Sequence, residues 1–286
     1  MPSGPCAQDA LGALDYNDAL LRNRFRSSHA RRRLTVDWTN WAGLVVTCFA
    51  ASLLQATNGF GFAVLAVPFF LLLSPPAEAV PIIVIISLAV SLFVMPGLYR
   101  SADRGLLRRL TVGSLVALPL GIIAFHHANP TIVGTVAGTI VTGFAIVLAW
   151  LRYRGITHCI ATGPRGDFAV GAVAGVATGL VGMAGPPVLI YLMLGGAPMR
   201  SVRATLIGFF ALIYAATLTA NAIFIGVPAR DWLIALSLLP FVWVGGRLGL
   251  RVGDRMGEAA AGALALIVLG ATGLYTLALA AHAALN

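Results

Sequence analysis

The sequence predicts an all-α bundle of membrane-spanning helices, and three observations lead to that fold class. The chain of 286 residues is 59% hydrophobic and only 10% charged, whereas soluble domains are roughly 45–50% apolar and about 25% charged. Its mean hydropathy is +0.90. Apolar runs recur between residues 38 and 282, and a helix needs about 20 such residues to cross a bilayer, which leaves room for about eight spans. A soluble domain, a disordered chain and a disulfide-bonded scaffold are excluded.

The basic residues indicate membrane topology and not nucleic-acid binding. All 19 are Arg, and the formal net charge is +9. They stand between apolar runs without an aromatic-rich basic groove, so we expect them to contact anionic lipids. The three cysteines, Cys6, Cys48 and Cys159, are widely spaced and indicate neither a disulfide framework nor a metal site. We expect no cofactor, and the sequence leaves the oligomeric state open.

The elements follow in order along the chain. Residues 1–37 form a polar tail with six Arg residues and no signal-peptide core, which we interpret as cytoplasmic, with a surface helix near residues 10–25. Ten apolar segments follow, at 38–57, 60–73, 78–98, 109–126, 131–151, 168–182, 186–194, 202–226, 231–249 and 259–282. The polar stretch 152–167 predicts a linker between a first repeat, 38–151, and a second, 168–286.

The division into two repeats depends on matches that all lie 121 residues apart. These matches are Ala56-Thr57 with Ala177-Thr178, Gly61 with Gly182, and Leu118-Pro119 with Leu239-Pro240. Both halves also run in the same order of segment lengths, with a short segment after a Gly-rich break and then long segments. We therefore expect a duplicated unit.

The number of crossings depends on how the breaks at residues 58–61 and 182–187 are interpreted. Each break lies within one interrupted crossing, or joins a crossing to a re-entrant piece. With four crossings per half and a cytoplasmic N-terminus, fourteen Arg residues lie inside and five outside. With five per half and the N-terminus outside, the counts are twelve and seven. A mixed arrangement, with four crossings in the first half and five in the second, puts eighteen Arg residues inside but makes the halves unequal. The positive-inside rule and equal halves together favour four plus four.

The two breaks are also the best candidates for a binding site. Non-helical backbone is tolerated at membrane depth only where it is buried in protein or lines a cavity. Transporters use paired breaks to direct half-helix N-termini at a substrate near the midplane. Pro186 and Pro187 suit the first turn of a helix, and the N-terminal end of that helix favours an anion. The alternative is that small residues merely permit close helix packing.

Neutral side chains beside the breaks add possible hydrogen-bond donors, and Arg203 adds a charge. Arg203 opens the long segment after the second break, where it either attracts an anion or serves only as a topology residue. The predicted substrate-binding residues are Gln55, Thr57, Asn58, Gly59 and Gly61 in the first half, and Thr178, Gly179, Gly182, Gly185, Pro186, Pro187 and Arg203 in the second.

The acidic residues argue against catalysis. All ten lie in the tail, in loops or at segment ends, and no pair is spaced for acid–base chemistry. The motifs of metalloproteases and serine hydrolases do not occur. His126 and His127 end the fourth segment and are interpreted as an interfacial pair, although a titrating role stays open. The sequence therefore predicts no enzyme.

The residues around both breaks resemble the sulfite exporter TauE/SafE family. In the first half the resemblance is carried by ATNGFGFAVLAVPFFLLL followed by SPPAEAV. In the second half it is carried by GVATGLVGMAGPPVLIYLMLGG followed by RSVRATLIGF. It extends over about residues 40–280. The resemblance implies a multi-pass carrier of the inner membrane for sulfite, sulfonate or a related organosulfur anion.

The predicted function is therefore export of a small anion by a secondary carrier. An inside-negative potential of 100 mV is worth about 2.3 kcal/mol per charge, which favours exit of a monoanion roughly fifty-fold without a coupling ion. Two alternatives remain open at this point, an uptake permease for an organic anion and a non-transporting membrane subunit. Backbone amides do not distinguish sulfite from other small oxyanions, so the substrate does not follow from the residues.

Overall fold

The computed structural model describes residues 38–98, 101–155, 162–224 and 226–255, together with Ile267, Gly270 and Ala271. The predicted tail, residues 156–161 of the predicted linker, and nearly all of the predicted segment 259–282 lie outside the described residues. The chain from Ala42 onward forms one compact unit, and the description below concerns that unit.

Within the described residues the chain forms nine α-helices, which confirms the all-α fold class. They are α1 (Trp38–Asn58), α2 (Phe62–Leu73), α3 (Pro76–Val94), α4 (Arg104–His127), α5 (Pro130–Arg154), α6 (Pro164–Val181), α7 (Gly185–Leu194), α8 (Met199–Phe224) and α9 (Ala229–Arg255). Six of them, α1, α3, α4, α5, α8 and α9, are long and apolar enough to cross a membrane. The chain is therefore a multi-pass membrane protein.

Local signals explain why the helices begin earlier than the apolar runs. Asp103 caps α4, because its carboxylate accepts a hydrogen bond of 3.0 Å from the Leu106 amide. Pro164 occupies the first position of α6, where its missing N–H costs nothing. As a result α4 begins five residues and α6 four residues before the predicted segments. The polar first turns of these helices carry no hydrophobic signal.

Each Gly-rich break reverses the chain direction. In the first half, Gly43 lies near the start of α1, and a Cβ added to it would contact Leu73 at the end of α2. In the second, the Tyr191 hydroxyl near the end of α7 bonds to Asp167 in the first turn of α6, at 2.7 Å. Both broken pairs are therefore hairpins. The interpretation of each break as part of one interrupted crossing is replaced by its alternative, a crossing followed by a shorter returning piece.

Contacts between helix ends assign the ends to two opposite faces of the bundle. The starts of α3 and α9 meet where Arg230 lies 3.9 Å from Glu78. The starts of α4 and α8 meet where the Asp103 amide donates to Thr205 Oγ1 at 3.2 Å. We call the end with the starts of α1, α3 and α9 face A, and the end with the starts of α4, α6 and α8 face B. The second half thus begins on the face opposite to the first.

Two parallel helix pairs join one half to the other. Helices α4 and α6 pack closely along their lengths, with Leu110 against Gly171 and Ser114 against Gly175. In the other pair, Phe49 and Leu53 of α1 lie against α9 through its glycines 245 and 249. In both pairs the backbones approach so closely that a Cβ on the glycine would overlap a carbonyl oxygen of the partner helix.

Candidate functional site

The first break needs glycine for its conformation and for its space. Gly59 and Gly61 have φ values of 83° and 117°, which residues other than glycine rarely adopt. A Cβ added to Gly59 would overlap the backbone and side chain of Arg203, and one added to Gly61 would overlap Leu54. On the neighbouring Phe60, the ring contacts Phe144 of α5 edge-on, with centroids 5.9 Å apart. The break is therefore covered on two sides.

Arg203 lies at the first break, whereas the sequence analysis placed it beside the second. One of its terminal nitrogens donates a hydrogen bond to the Ala56 carbonyl in the last turn of α1. A Cβ on Gly253 of α9 would lie 3.4 Å from its other terminal nitrogen. The final carbonyls of a helix have no partner within the helix and favour a cation. Arg203 therefore stabilises the end of α1, which its place in the sequence did not indicate.

Two polar side chains at the end of α1 differ in how they are satisfied. The Thr57 hydroxyl lies 2.8 Å from the Leu53 carbonyl and 3.1 Å from the Gly249 carbonyl, so its proton is used within the protein. The Asn58 side chain is only 4% exposed, and its Nδ2 has no hydrogen-bond partner among the described residues. A buried donor without a partner is costly. Asn58 therefore offers a hydrogen bond that a ligand can accept.

The second break has its own glycine requirement. Gly182 ends α6 with φ 75°, and the amides of Gly182 and Met183 return to the carbonyls of Thr178 and Ala177. The Thr178 hydroxyl donates to the Ala174 carbonyl at 2.6 Å, so like Thr57 it is already engaged as a donor. Residues 181–186 are all buried. The break is thus a closed turn inside the protein.

Both short helices begin without a side-chain cap. The first residue of α7 is Gly185, and Pro186 and Pro187 follow it without N–H groups. The Ala184 amide donates to the Tyr214 hydroxyl, so the Gly185 amide is the first donor at this helix start. Helix α2 likewise begins directly after Gly61. Uncapped N–H groups together with the helix dipole favour an anion. The expectation that two half-helices present their N-termini inside the bundle agrees with this geometry.

A polar path across α3 connects the two breaks. Gln55 of α1 donates to Ser91 Oγ at 3.2 Å. One turn earlier on α3, Ser87 Oγ lies within hydrogen-bonding reach of the Tyr214 hydroxyl. That hydroxyl in turn lies 3.3 Å from the Gly182 carbonyl. Because Gly182 faces residues 80–84 of α3, the breaks are offset by about two helical turns, roughly 10 Å at 1.5 Å per residue.

The structure brings most of the predicted site residues to this path, and it adds three that sequence reasoning missed. Gly179 is the exception, because its open side faces Leu118, Gly121 and Ile122 of α4, where it serves helix packing. The additional residues are Ser87, Ser91 and Tyr214. The available signal was the pair of serines four residues apart in an otherwise apolar helix, which places both on one face.

The family comparison covers both breaks. The model of the sulfite exporter TauE/SafE family matches residues 44–276. The chain belongs to the sulfite exporter TauE/SafE family. This match confirms the resemblance seen in the sequence. Members of the TauE/SafE family are membrane transporters of sulfur anions rather than enzymes. No curated protein and no solved structure matches the chain. Among the described residues, no group of three His, Cys, Asp or Glu side chains could hold a metal ion.

Proposed function

We propose that this TauE/SafE protein is a secondary carrier of the bacterial inner membrane that exports sulfite or a small organic sulfonate. The observation that carries the proposal is the polar path between the two breaks in an otherwise apolar core. Asn58 Nδ2 on this path is a buried donor without a partner among the described residues, and Ser87 Oγ lies beside the Tyr214 hydroxyl. A sulfur oxyanion supplies several acceptor oxygens, so it would bond Asn58 and the uncapped amides of α2 at the first break, and Ser87 and the start of α7 in a separate position along the path.

Neutral donors suit a carrier that must also release its substrate. Arg203, the charged side chain at the first break, already bonds to the Ala56 carbonyl. An anion held by amides and hydroxyls alone avoids the strong attraction of a buried cation, and conduction through any membrane site requires binding weak enough to permit exit. The inverted order of the halves, with α1 starting on face A and α6 on face B, also supports alternating access.

The direction of transport follows from energy. The membrane potential favours exit of a monoanion roughly fifty-fold per 100 mV, so export needs no coupling ion. Uptake of an organic anion against the same potential would require one. We therefore propose export as the direction in the cell, with sulfite as the first substrate to test.

Counterflow in proteoliposomes tests the proposal. Vesicles loaded with unlabelled anion are diluted into labelled sulfite, and a panel of sulfite, sulfate, methanesulfonate, taurine and acetate is compared as the internal anion. We expect sulfur oxyanions to drive accumulation of label. No accumulation with any member of the panel, for a correctly folded protein, would exclude the carrier.

The buried donors provide the matching variants. We expect Asn58→Ala and Ser87→Ala to raise the sulfite KM about tenfold each, since a hydrogen bond to a charged group is worth roughly 1.5–3 kcal/mol. The thermal stability of Asn58→Ala should stay unchanged or rise, because that variant removes a buried atom that lacks a partner among the described residues. Asn129→Ala and Ser237→Ala, which alter the same residue types at exposed positions, serve as controls. A KM unchanged in both buried variants would place the anion elsewhere.

A further inference from the structure

A second polar cluster lies at face A, apart from the breaks. Glu78 is in the first turn of α3, and Arg230 and Asp231 are in the first turn of α9. Arg230 Nη1 lies 3.9 Å from Glu78 Oε1. Asp231 is only 2% exposed, and Glu78 and Arg230 are the charged groups that act on it. Among the described residues, two carboxylates therefore share this place with the Arg230 guanidinium, which gives them one negative charge in excess.

Each of these carboxylates has an unsatisfied oxygen. Glu78 Oε2 and Asp231 Oδ2 are both buried, and neither has a hydrogen-bond partner among the described residues. A buried ionised carboxylate without partners is strongly disfavoured. Two ionised carboxylates that share such a site repel each other, and a proton bound by one of the free oxygens removes that repulsion.

The other buried aspartate of the bundle shows what a satisfied site looks like. Asp167 is 1% exposed, and its Oδ2 lies 2.5 Å from Arg109 Nε. Its Oδ1 accepts the Tyr191 hydroxyl proton at 2.7 Å. Arg109 and Arg230 stand 121 residues apart, at equivalent positions of the predicted repeats. The two halves therefore use the same Arg position differently, with a fully paired carboxylate at face B and an under-paired acidic couple at face A.

We propose that Glu78 and Asp231 together bind one proton, taken from water at face A, and that this proton is coupled to anion movement in addition to the membrane potential, which favours export without it. The inference rests on the proposed carrier function. The proton adds to one of the two unsatisfied oxygens and returns to water when the cluster reopens, so no electron or leaving group is involved. Two carboxylates offer a metal cation too few oxygen ligands, since Ca²⁺, for example, takes six to eight, whereas a proton needs only one.

The helices that carry the two acids reach both breaks. Val80, two residues after Glu78, lies against Gly182 of the second break. On α9, the Gly249 carbonyl contacts the Thr57 hydroxyl beside the first break. Helices α3 and α9 also pack against each other. Protonation removes the repulsion between the two acids and so changes how the starts of α3 and α9 pack, and both helices connect that change to the anion path.

The experiment separates coupling from anion binding. Labelled sulfite exchange is measured in proteoliposomes at equal pH on both sides, and net flux is measured under an imposed pH gradient, for wild type, Asp231→Asn, Glu78→Gln and Asp231→Glu. We expect the gradient to accelerate wild-type net flux in one orientation. Asp231→Asn and Glu78→Gln should keep exchange and lose the response to the gradient, whereas Asp231→Glu should keep both. The titration of sulfite itself is the same for all four proteins.

Direct proton binding gives a readout that does not depend on sulfite. We expect purified wild type in detergent to bind about one proton more than Asp231→Asn over the pH range in which the cluster titrates. Equal proton binding, a gradient response retained by both charge-removing variants, or loss of exchange in both would overturn the inference. If a sodium gradient accelerated net sulfite flux as the pH gradient does, that result would also overturn the inference. Absence of exchange in the wild type would instead count against the carrier function, while the proton count would still test the acidic couple.

Discussion

At the scale of single residues, Arg203 has a structural role that its charge conceals. It stands at the fifth residue of α8, near the helix start, where the dipole of its own helix disfavours a cation. Its guanidinium nevertheless reaches the last turn of α1 and bonds to the Ala56 carbonyl. The residue thus fixes the end of a helix that stops inside the protein. An effect of this charge on the anion acts at the first break and not at the second.

We expect Arg203→Gln to lower the thermal stability of the purified protein by a few degrees. Loss of a hydrogen bond to a charged group, discounted for the half-exposed side chain, costs about 1 kcal/mol. The matched control is Arg200→Gln, an exposed Arg in the same turn of α8, which should leave the melting temperature unchanged. The measurement is a melting curve in detergent. An unchanged Tm with a sulfite KM raised at low salt would assign the charge to the anion instead.

At the scale of the helices, the glycine-lined contact between α4 and α6 determines how tightly the bundle packs. A Cβ on Gly175 would overlap the Ser114 carbonyl, and a Cβ on Gly121 would overlap the Val176 carbonyl. In addition, the Ser114 hydroxyl donates to the Gly171 carbonyl at 2.6 Å. The association of two helices in lipid depends on such close packing and on hydrogen bonds between them, because the hydrophobic effect does not distinguish a helix from a lipid chain.

We expect Gly175→Ala to destabilise the protein by about 1–3 kcal/mol, since an added methyl group in a packed core forces the backbones apart. The matched change is Gly134→Ala on α5, where a Cβ meets nothing within 4 Å. That variant should be neutral or stabilising by roughly 0.5–1 kcal/mol, because alanine favours the helix over glycine. The measurement is the melting temperature of each variant in the same detergent, which should fall for Gly175→Ala and stay the same or rise for Gly134→Ala. Equal shifts would show that the glycine contact does not limit the packing.

At the scale of the whole molecule, the hairpins change the expected topology. With hairpins at both breaks, each half takes an odd number of passes, as in the five-crossing arrangement. Along the sequence, twelve of the nineteen Arg residues are then expected on the side of face B, and seven, including the six of the tail, on the other side. The positive-inside rule therefore predicts that face B is cytoplasmic. The cytoplasmic tail predicted from the four-crossing count depended on the other interpretation, and its side stays a prediction to be tested.

We expect single cysteines to label according to these faces in cells expressing a protein whose Cys6, Cys48 and Cys159 have been replaced. Cysteine at Asn129 or Gly226, in the exposed loops of face A, should react with an impermeant maleimide in intact cells. Cysteine at Gly155 or Pro198, in the exposed loops of face B, should react only after the membrane is opened. The reverse pattern would place face B outside and contradict the charge argument.

Much of the fold follows from the sequence, because hydrophobic length alone identifies a helix that crosses lipid. The long helices and the two Gly-rich breaks were predicted at nearly their observed positions. The direction of the chain at each break was not, since glycine permits a straight interruption and a reversal equally. Burial of Asp167 and Asp231 was also missed. Both lie in first turns near apolar segment ends, where the sequence does not show which neighbours cover them.

The two parallel helix pairs have a consequence for how this carrier can move. Helix α1 of the first half is clamped to α9 of the second, and α6 of the second is clamped to α4 of the first. Each half therefore holds the other by an exchanged helix, and the boundary between the repeats is not a plane along which they can separate. We therefore expect that the halves do not rock as two rigid bodies. Exposure of the anion to one face and then the other is expected to come from bending within the hairpins at Gly59–Gly61 and Gly182–Gly185, while the exchanged helices stay fixed.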